Sequence, residues 1–148
     1  MEIRQITPDF AAAPQIAAVD IAKAVAAGFK MILCNRPDHE VPGQPDASTI
    51  ETAAKDAGLE FRFLPLAPGG LSMDLINSFR DALDSSDGPV LAYCRSGTRS
   101  TTLWALAQAC KMPPQDILEA AAKGGYDLSN VRQMLEQMHA AAETSAGN

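Results

Sequence analysis

Long apolar runs and basic charge are both scarce in this chain of 148 residues. No stretch approaches the roughly 20 apolar residues that a membrane-spanning helix needs, and the residues after Met1 lack the basic and apolar regions of a secretion signal. The 12 lysines and arginines are outnumbered by 18 aspartates and glutamates, so the net charge of −6 argues against nucleic acid and anionic membranes as main partners. We therefore expect a cytoplasmic protein that binds neither.

Cysteine and histidine are also scarce, with 3 and 2 residues respectively. In a chain without a secretion signal, so few cysteines argue against a disulfide framework. Neither His39 nor His139 has enough cysteine or histidine neighbours in the sequence to complete a zinc site. We expect neither a metal nor another cofactor.

Short apolar runs alternate with helical patterns along most of the chain. The predicted elements are an extended pair before Ile16, a helix over 17–27, a strand over 29–34, a loop over 35–45, a helix that begins with a capping box at Ser48 and Glu51, a strand over 61–66, a helix capped by Ser72, a strand before Cys94 and three further helices. This alternation predicts an α/β fold with a mostly parallel central sheet flanked by helices. Residues 1–141 are predicted to form a single domain and residues 142–148 a disordered tail.

The apolar run from Val90 to Tyr93 leads into a polar loop and then into a helical pattern. The loop consists of Cys94, Arg95, Ser96, Gly97, Thr98, Arg99 and Ser100. Backbone N–H groups that converge on a sulfur atom and the positive end of a helix dipole both favour a thiolate. Cys94 is therefore the predicted nucleophile, and the alternative is a buried, inert cysteine beside a capped helix.

The residues after Cys94 are predicted to bind an anion. Gly97 lets the loop turn, Arg99 offers a planar charge that can hold an oxyanion through two hydrogen bonds, and Ser100 can donate a hydrogen bond to the thiolate. Arg95, Ser96 and Thr98 complete the predicted anion-binding loop. We expect a sulfate or phosphate to lie over Cys94, held by the N–H groups of residues 95–99.

Two further loops are predicted to lie beside Cys94, because ligands bind at the carboxyl ends of the strands in an open parallel sheet. These loops are residues 35–45 and 67–72. In the first, Arg36 can widen the positive field and Asp38 can orient a loop arginine, or the two can form a local turn pair. His39 can shuttle a proton or simply be a solvated loop histidine.

The polar loop resembles the active loops of rhodanese sulfurtransferases and of cysteine-dependent tyrosine and dual-specificity phosphatases. A wider resemblance, from Ile3 to about Ala109, is to the phosphatase-like domain of beta-lactamase-hydrolase-like proteins, a family also described as sulfur transferases. The residues that carry it are 4–8, 28–30, 35–38, 42–45, 65–66, 69–70, 92–100 and 103–105. This resemblance implies a cysteine-phosphatase-like α/β fold that holds a rhodanese-length loop.

Three details of the sequence favour sulfur transfer over phosphate hydrolysis. Four residues separate Cys94 from Arg99, as in rhodaneses, whereas the phosphatases have five, and a smaller ring of N–H groups suits one sulfur atom better than a phosphoryl group. The loop over 67–71 carries no carboxylate to protonate a leaving group. Tyr93 also stands where the phosphatases carry a histidine. We therefore predict a rhodanese-type sulfurtransferase that forms a persulfide on Cys94 from thiosulfate or a low-molecular-weight persulfide and passes the sulfur to a thiol or cyanide.

The sequence leaves two alternatives open. One is a cysteine-dependent phosphatase that hydrolyses a phosphate monoester through a Cys94 phospho-enzyme, with water, His39 or Asp74 as the acid. The other is a non-catalytic anion-sensing module whose last helix contacts a partner. In each case the expected ligand is a small anion, and both a metallo-hydrolase partner and the oligomeric state stay open.

Overall fold

A five-stranded sheet forms the centre of the computed structural model, which describes residues 1–146. The strands are β1 (Arg4–Thr7), β2 (Phe10–Ala13), β3 (Met31–Cys34), β4 (Glu60–Phe63) and β5 (Val90–Tyr93). Their order across the sheet is β1-β2-β5-β3-β4, in which β1 runs antiparallel to β2 and every other neighbouring pair is parallel. The predicted α/β fold with a mostly parallel sheet is confirmed.

Helices cover both faces of this sheet. They are α1 (Ile21–Ala26), α2 (Ala47–Asp56), α3 (Met73–Ser85), α4 (Thr98–Gln108), α5 (Pro114–Lys123) and α6 (Arg132–Ala146), with short 3₁₀ turns at Ala18–Asp20 and Ser129–Val131. Side chains along a strand alternate between faces, so in β3 Met31 and Leu33 face α3 to α6, while Ile32 and Cys34 face α1 and α2. The sheet is therefore the middle of three layers, with a hydrophobic core on each side.

The start of α2 differs from the prediction. The helix begins at Ala47, so the capping box predicted at Ser48 and Glu51 is wrong, and Ser48 lies inside the first turn. Asp38, from the preceding loop, accepts a hydrogen bond from the Ala47 N–H at 2.8 Å. That contact satisfies one of the N–H groups that a helix start leaves without a partner. In α3 the predicted cap is present, because the Ser72 hydroxyl oxygen accepts from the Leu75 N–H at 3.1 Å.

The last helix extends further than predicted. Helix α6 runs to Ala146 and so includes most of the segment predicted as a disordered tail, whose last residues, 147 and 148, lie outside the described part of the chain. Alanine and glutamate favour helix, and His139 contacts Glu143 one turn later at 3.0 Å. Within residues 1–146, no helix combines the length and hydropathy that crossing a lipid bilayer requires.

Candidate active site

The predicted nucleophile lies at the carboxyl end of β5, the central strand of the sheet. The Cys94 N–H donates to the Ala13 carbonyl of β2 at 3.3 Å, and the Asn35 N–H donates to the Tyr93 carbonyl at 2.8 Å. Cys94 is thus held between β2 and β3, where the loop that follows β3 also begins. Its exposed fraction is 0%, so the thiol is fully buried at the end of this strand.

The loop after Cys94 brings a backbone donor to the sulfur. The Gly97 N–H donates to the Cys94 Sγ at 3.0 Å. Helix α4 begins at the next residue, Thr98. Its first-turn N–H groups have no partner within the helix and form the positive end of the helix dipole. The loop and the helix start therefore combine in the way that the sequence predicted.

Gly97 is required for two reasons. Its φ of +94° is left-handed, a region that side chains with a Cβ atom rarely adopt. A Cβ at this position would also collide with the hydroxyl of Tyr126. That hydroxyl donates to the Ser96 carbonyl at 3.0 Å, and burial raises the pKa of Tyr126. Tyr126 therefore holds the loop in place through its hydrogen bond to Ser96, a role that the sequence analysis missed.

The hydroxyl groups of the loop make mostly local contacts. Ser96 donates to the Thr98 hydroxyl at 3.1 Å, and the Thr101 hydroxyl donates to the Gly97 carbonyl at 2.8 Å. The predicted hydrogen bond from Ser100 to the thiolate is absent, because the buried Ser100 hydroxyl has no partner among the described residues. The Ser100 hydroxyl is therefore buried in the first turn of α4 without a hydrogen bond to another described residue.

Arg99 is held in a fixed orientation by a residue that the sequence analysis also missed. Its Nη1 and Nη2 atoms each donate to the Glu40 carboxylate at 2.8 Å, and Nη1 donates in addition to the Leu66 carbonyl at 3.1 Å. A guanidinium has five N–H donors, so the Nε–H and one Nη2–H, which share one edge of the group, are left for an oxyanion. The hydrogen bonds that Arg99 donates to Glu40 raise the pKa of Arg99, and the neighbouring Cys94 acts in the same direction.

Glu40 connects the two arginines of the site. Hydrogen bonds from Arg99, and then from Arg36, lower the pKa of Glu40 to about 2. Arg36 is 4% exposed, and it donates through Nε to Glu40 at 2.9 Å and through Nη1 to Gln15 at 3.0 Å. The charge of Arg36 is therefore paired with Glu40, so its role is to hold Glu40 and it adds little free positive field.

Asp38 takes a position that the loop sequence did not predict, whereas His39 is exposed on its loop, as one of its two predictions had it. Asp38 does not orient a loop arginine, because its carboxylate accepts from the Ala47 N–H at the start of α2. His39 has a left-handed φ of 65° and an 84% exposed side chain, and its Nδ1 lies 3.9 Å from a carboxylate oxygen of Asp46. His39 therefore projects into solvent from the loop that holds Glu40.

An open cleft of about 780 Å³ lies over this part of the molecule. Its lining consists of Leu66 and of residues from the three predicted loops, namely Pro37, Asp38, His39, Glu40, Ala67, Pro68, Gly69, Leu71, Arg95 and Arg99. Arg95 is exposed at the rim, and the segment 66–71 provides an apolar wall. Asp74, the other acid considered from the sequence, is exposed in the first turn of α3 and does not line the cleft.

Tyr93 faces away from the loop. It packs in the core on the α1 and α2 side of the sheet, next to Cys34, and burial raises the pKa of both side chains. The residue before the nucleophile therefore contributes to the core in this chain.

The sheet order, the buried cysteine and the arginine at the start of a helix define a cysteine-phosphatase-like α/β protein. The sequence profile of the phosphatase-like domain of beta-lactamase hydrolase-like proteins matches residues 2–111. A beta-lactamase hydrolase-like protein of Agrobacterium fabrum is 35% identical over 130 residues, which cover 86% of this chain and 30% of that protein. The chain therefore belongs to this family and spans 26–30% of the length of the curated relatives that it matches.

Solved structures agree with this assignment. A crystal structure from Neisseria meningitidis, provisionally described as a phosphatase, is 33% identical and has a TM-score of 0.81, covering 93% of this chain and 99% of that one. PTPMT1 has a TM-score of 0.74 and covers 99% of both chains, but at 14% identity it shows the fold alone.

The predicted sulfurtransferase activity is wrong, since the family profile and the structure at 33% identity are both of phosphatase type. Loop length favours sulfur transfer only if the loop N–H groups are the sole donors. Here Arg99 lies inside the first turn of α4, so helix N–H groups and one edge of a guanidinium join the loop donors. The spacing between Cys94 and Arg99 therefore does not set the number of donors that a phosphoryl group can find.

Proposed function

We propose that this domain is a cysteine-dependent phosphatase that hydrolyses a phosphate monoester through a phospho-enzyme on Cys94. The observation that carries the proposal is the pairing of a buried thiol, hydrogen-bonded to the Gly97 N–H at 3.0 Å, with an arginine whose Nε and Nη2 edge is left open by Glu40. The family of the chain and its likeness to the Neisseria meningitidis protein support the same reading.

Each part of the site has a task in such a reaction. The open edge of Arg99 can donate two parallel hydrogen bonds to two oxygens of the phosphoryl group. The first-turn N–H groups of α4 can bind the same oxygens as negative charge redistributes in the transition state. The sulfur of Cys94 then attacks phosphorus while the bond from phosphorus to the ester oxygen breaks and the alcohol departs, and water releases phosphate from the sulfur in a second step.

Burial of the nucleophile shapes how the reaction begins. Cys94 has no exposed surface and does not itself line the cleft, whereas its neighbours Arg95 and Arg99 do, so we expect a substrate to approach the sulfur from the cleft. Arg95 at the rim adds a charge that attracts an anion to this entrance, although the net charge of the chain is negative. The apolar wall formed by Leu66, Pro68 and Leu71 offers a surface to the organic part of the ester.

A chemical trap tests the proposal directly. The protein is mixed with p-nitrophenyl phosphate and quenched in acid, and peptide mass spectrometry then locates any phosphoryl group. We expect it on the Cys94 peptide and expect both the adduct and turnover to disappear in Cys94→Ser. The exposed Cys110 provides the matched control, Cys110→Ser, which should keep full activity. Binding of phosphate without turnover would contradict the proposal and favour the anion-sensing module.

Two broader expectations accompany this function. A cytoplasmic location fits the free thiols of Cys34, Cys94 and Cys110, since reducing compartments keep cysteines unpaired. A metallo-hydrolase partner is in keeping with the name of the curated relatives, of which the chain matches 30% or less. Co-purification of the chain with such a partner would test the second expectation.

A further inference from the structure

The acid that protonates the leaving group has not been assigned to a residue. Attack and departure at phosphorus are roughly in line, so the leaving-group oxygen points away from the Cys94 sulfur and toward the mouth of the cleft. The acid must therefore lie at the mouth, on the side opposite the loop N–H groups. The titratable side chains that line the cleft are those of Asp38, His39, Glu40, Arg95 and Arg99.

Most of these side chains are unsuited to the task. Glu40 is held by two arginines that lower its pKa to about 2, so it has no proton to donate near neutrality. Asp38 is engaged with the Ala47 N–H at the start of α2. An arginine keeps its proton at physiological pH. His39 is left, and histidine is the side chain that commonly gains and loses a proton between about pH 5 and 8.

The position of His39 fits this role. Its left-handed φ of 65° is uncommon for a residue with a Cβ atom, and such conformations occur often at functional sites. The Nδ1 atom faces Asp46 at 3.9 Å, so Nε2 is the ring nitrogen left for a ligand. The charged groups around the ring are the carboxylates of Asp38, Glu40 and Asp46 and the guanidinium groups of Arg95 and Arg99.

We propose that His39 is the general acid of this phosphatase, an inference that rests on the function proposed above. As the Cys94 sulfur forms its bond to phosphorus, the bond from phosphorus to the leaving-group oxygen breaks, and that oxygen takes the proton from Nε2. In the second step neutral His39 accepts a proton from the water whose oxygen attacks phosphorus. The phosphorus–sulfur bond then breaks, the thiolate returns, and phosphate leaves.

The test uses His39→Asn with a series of aryl phosphates. Asparagine also tolerates left-handed backbone, so the variant removes the acid and keeps the loop. We expect kcat/KM to fall about 10²-fold for phenyl phosphate, whose leaving group needs a proton, and by less than about threefold for 2,4-dinitrophenyl phosphate, whose leaving group does not. His39→Asp, which restores an acid on the same backbone, should recover part of the phenyl phosphate activity with an optimum at lower pH.

Asp74→Asn is the control, because Asp74 is an exposed acid outside the cleft. Its substitution should leave kcat/KM unchanged for both phenyl phosphate and 2,4-dinitrophenyl phosphate. Equal losses on all substrates in His39→Asn would reveal a structural role and overturn the proposal, as would no loss. A selective loss in Asp38→Asn instead would assign the acid to Asp38. The phosphatase function itself stands if dinitrophenyl phosphate is still turned over by His39→Asn and not by Cys94→Ser, and it fails if neither the wild type nor the variant shows Cys94-dependent turnover.

Discussion

Substitution of Glu40 by glutamine tests whether the orientation of Arg99 controls catalysis. The carboxylate of Glu40 receives hydrogen bonds from both Nη atoms of Arg99 at 2.8 Å and from Arg36 at 2.9 Å. Glu40→Gln preserves the shape of the side chain and removes its charge. One carbonyl oxygen would then have to replace two carboxylate oxygens, so Arg99 would lose its fixed orientation and its open edge would no longer face the phosphoryl group.

The size of the effect follows from these contacts. A hydrogen bond to a charged group contributes about 1.5–3 kcal/mol. The side chains of Arg99 and Glu40 are 26% and 23% exposed, so solvent screens part of the interaction. We expect Glu40→Gln to lose about 2 kcal/mol of transition-state stabilisation, which corresponds to roughly a 30-fold fall in kcat/KM for p-nitrophenyl phosphate. The matched control is Glu51→Gln, which breaks an exposed 2.9 Å pair with Lys55 on α2.

The same pair predicts a pH dependence of folding. The pKa of Glu40 is lowered from 4.5 to about 2 in the fold, so folding favours the ionised form. Its contribution to the free energy of unfolding is fully present above about pH 5 and is lost as the pH falls through the folded value. The difference in stability between wild type and Glu40→Gln should therefore shrink from pH 5 to pH 2 in urea titrations.

If Glu40→Gln keeps kcat/KM within about threefold of Glu51→Gln, the positioning of Arg99 by Glu40 is refuted.

Two further predictions concern the loop and its nucleophile. Gly97→Ala should lower the free energy of unfolding by about 1–3 kcal/mol and abolish activity, because it meets both an unfavourable φ and the Tyr126 hydroxyl. Gly58 has a similar φ, but a Cβ there would meet no neighbouring atom, so Gly58→Ala is the matched control. Adding Tyr126→Phe should therefore restore part of the stability lost in Gly97→Ala and none of that lost in Gly58→Ala. Inorganic phosphate should slow the alkylation of Cys94 by iodoacetate and leave the exposed Cys110 unchanged, as measured by peptide mass spectrometry, and equal protection of both would contradict an anion site over Cys94.

The sequence predicted the sheet and the strand, turn and helix start around Cys94 well because both depend on local patterns. Apolar runs such as 90–93 alternate with helical patterns, and that alternation requires a layered fold with parallel strands. Cys94, Gly97 and Arg99 are neighbours in the sequence, so the strand, the turn and the helix start that they need could be recognised together. The same reasoning misplaced the start of α2, because the residue that contacts its first N–H group, Asp38, lies nine positions before it.

The contacts that orient the site could not be derived in this way because they join distant segments. Glu40 and Arg99 are 59 positions apart, and Tyr126 and Ser96 are 30 positions apart. Asp38 was one candidate to orient a loop arginine, but Glu40 takes that position, because which carboxylate of the loop after β3 meets Arg99 depends on how that loop folds. One signal was present, since Arg36 and Glu40 have the spacing of an ion pair and a buried arginine needs a partner.

The failure of the loop-length argument has a physical cause that applies beyond this chain. An anion site is defined by the number and direction of its donors, whereas a count between two residues measures only the length of chain that joins them. In this structure Thr98 already begins α4, so first-turn N–H groups that lack a partner within the helix lie next to the loop. Arg99 adds donors through the edge that Glu40 leaves open, and that edge is placed by a contact with another loop. The chemistry of such a loop therefore depends on the segment that fixes its arginine and on the group at the cleft mouth that can give up a proton, which here are both in residues 35–45.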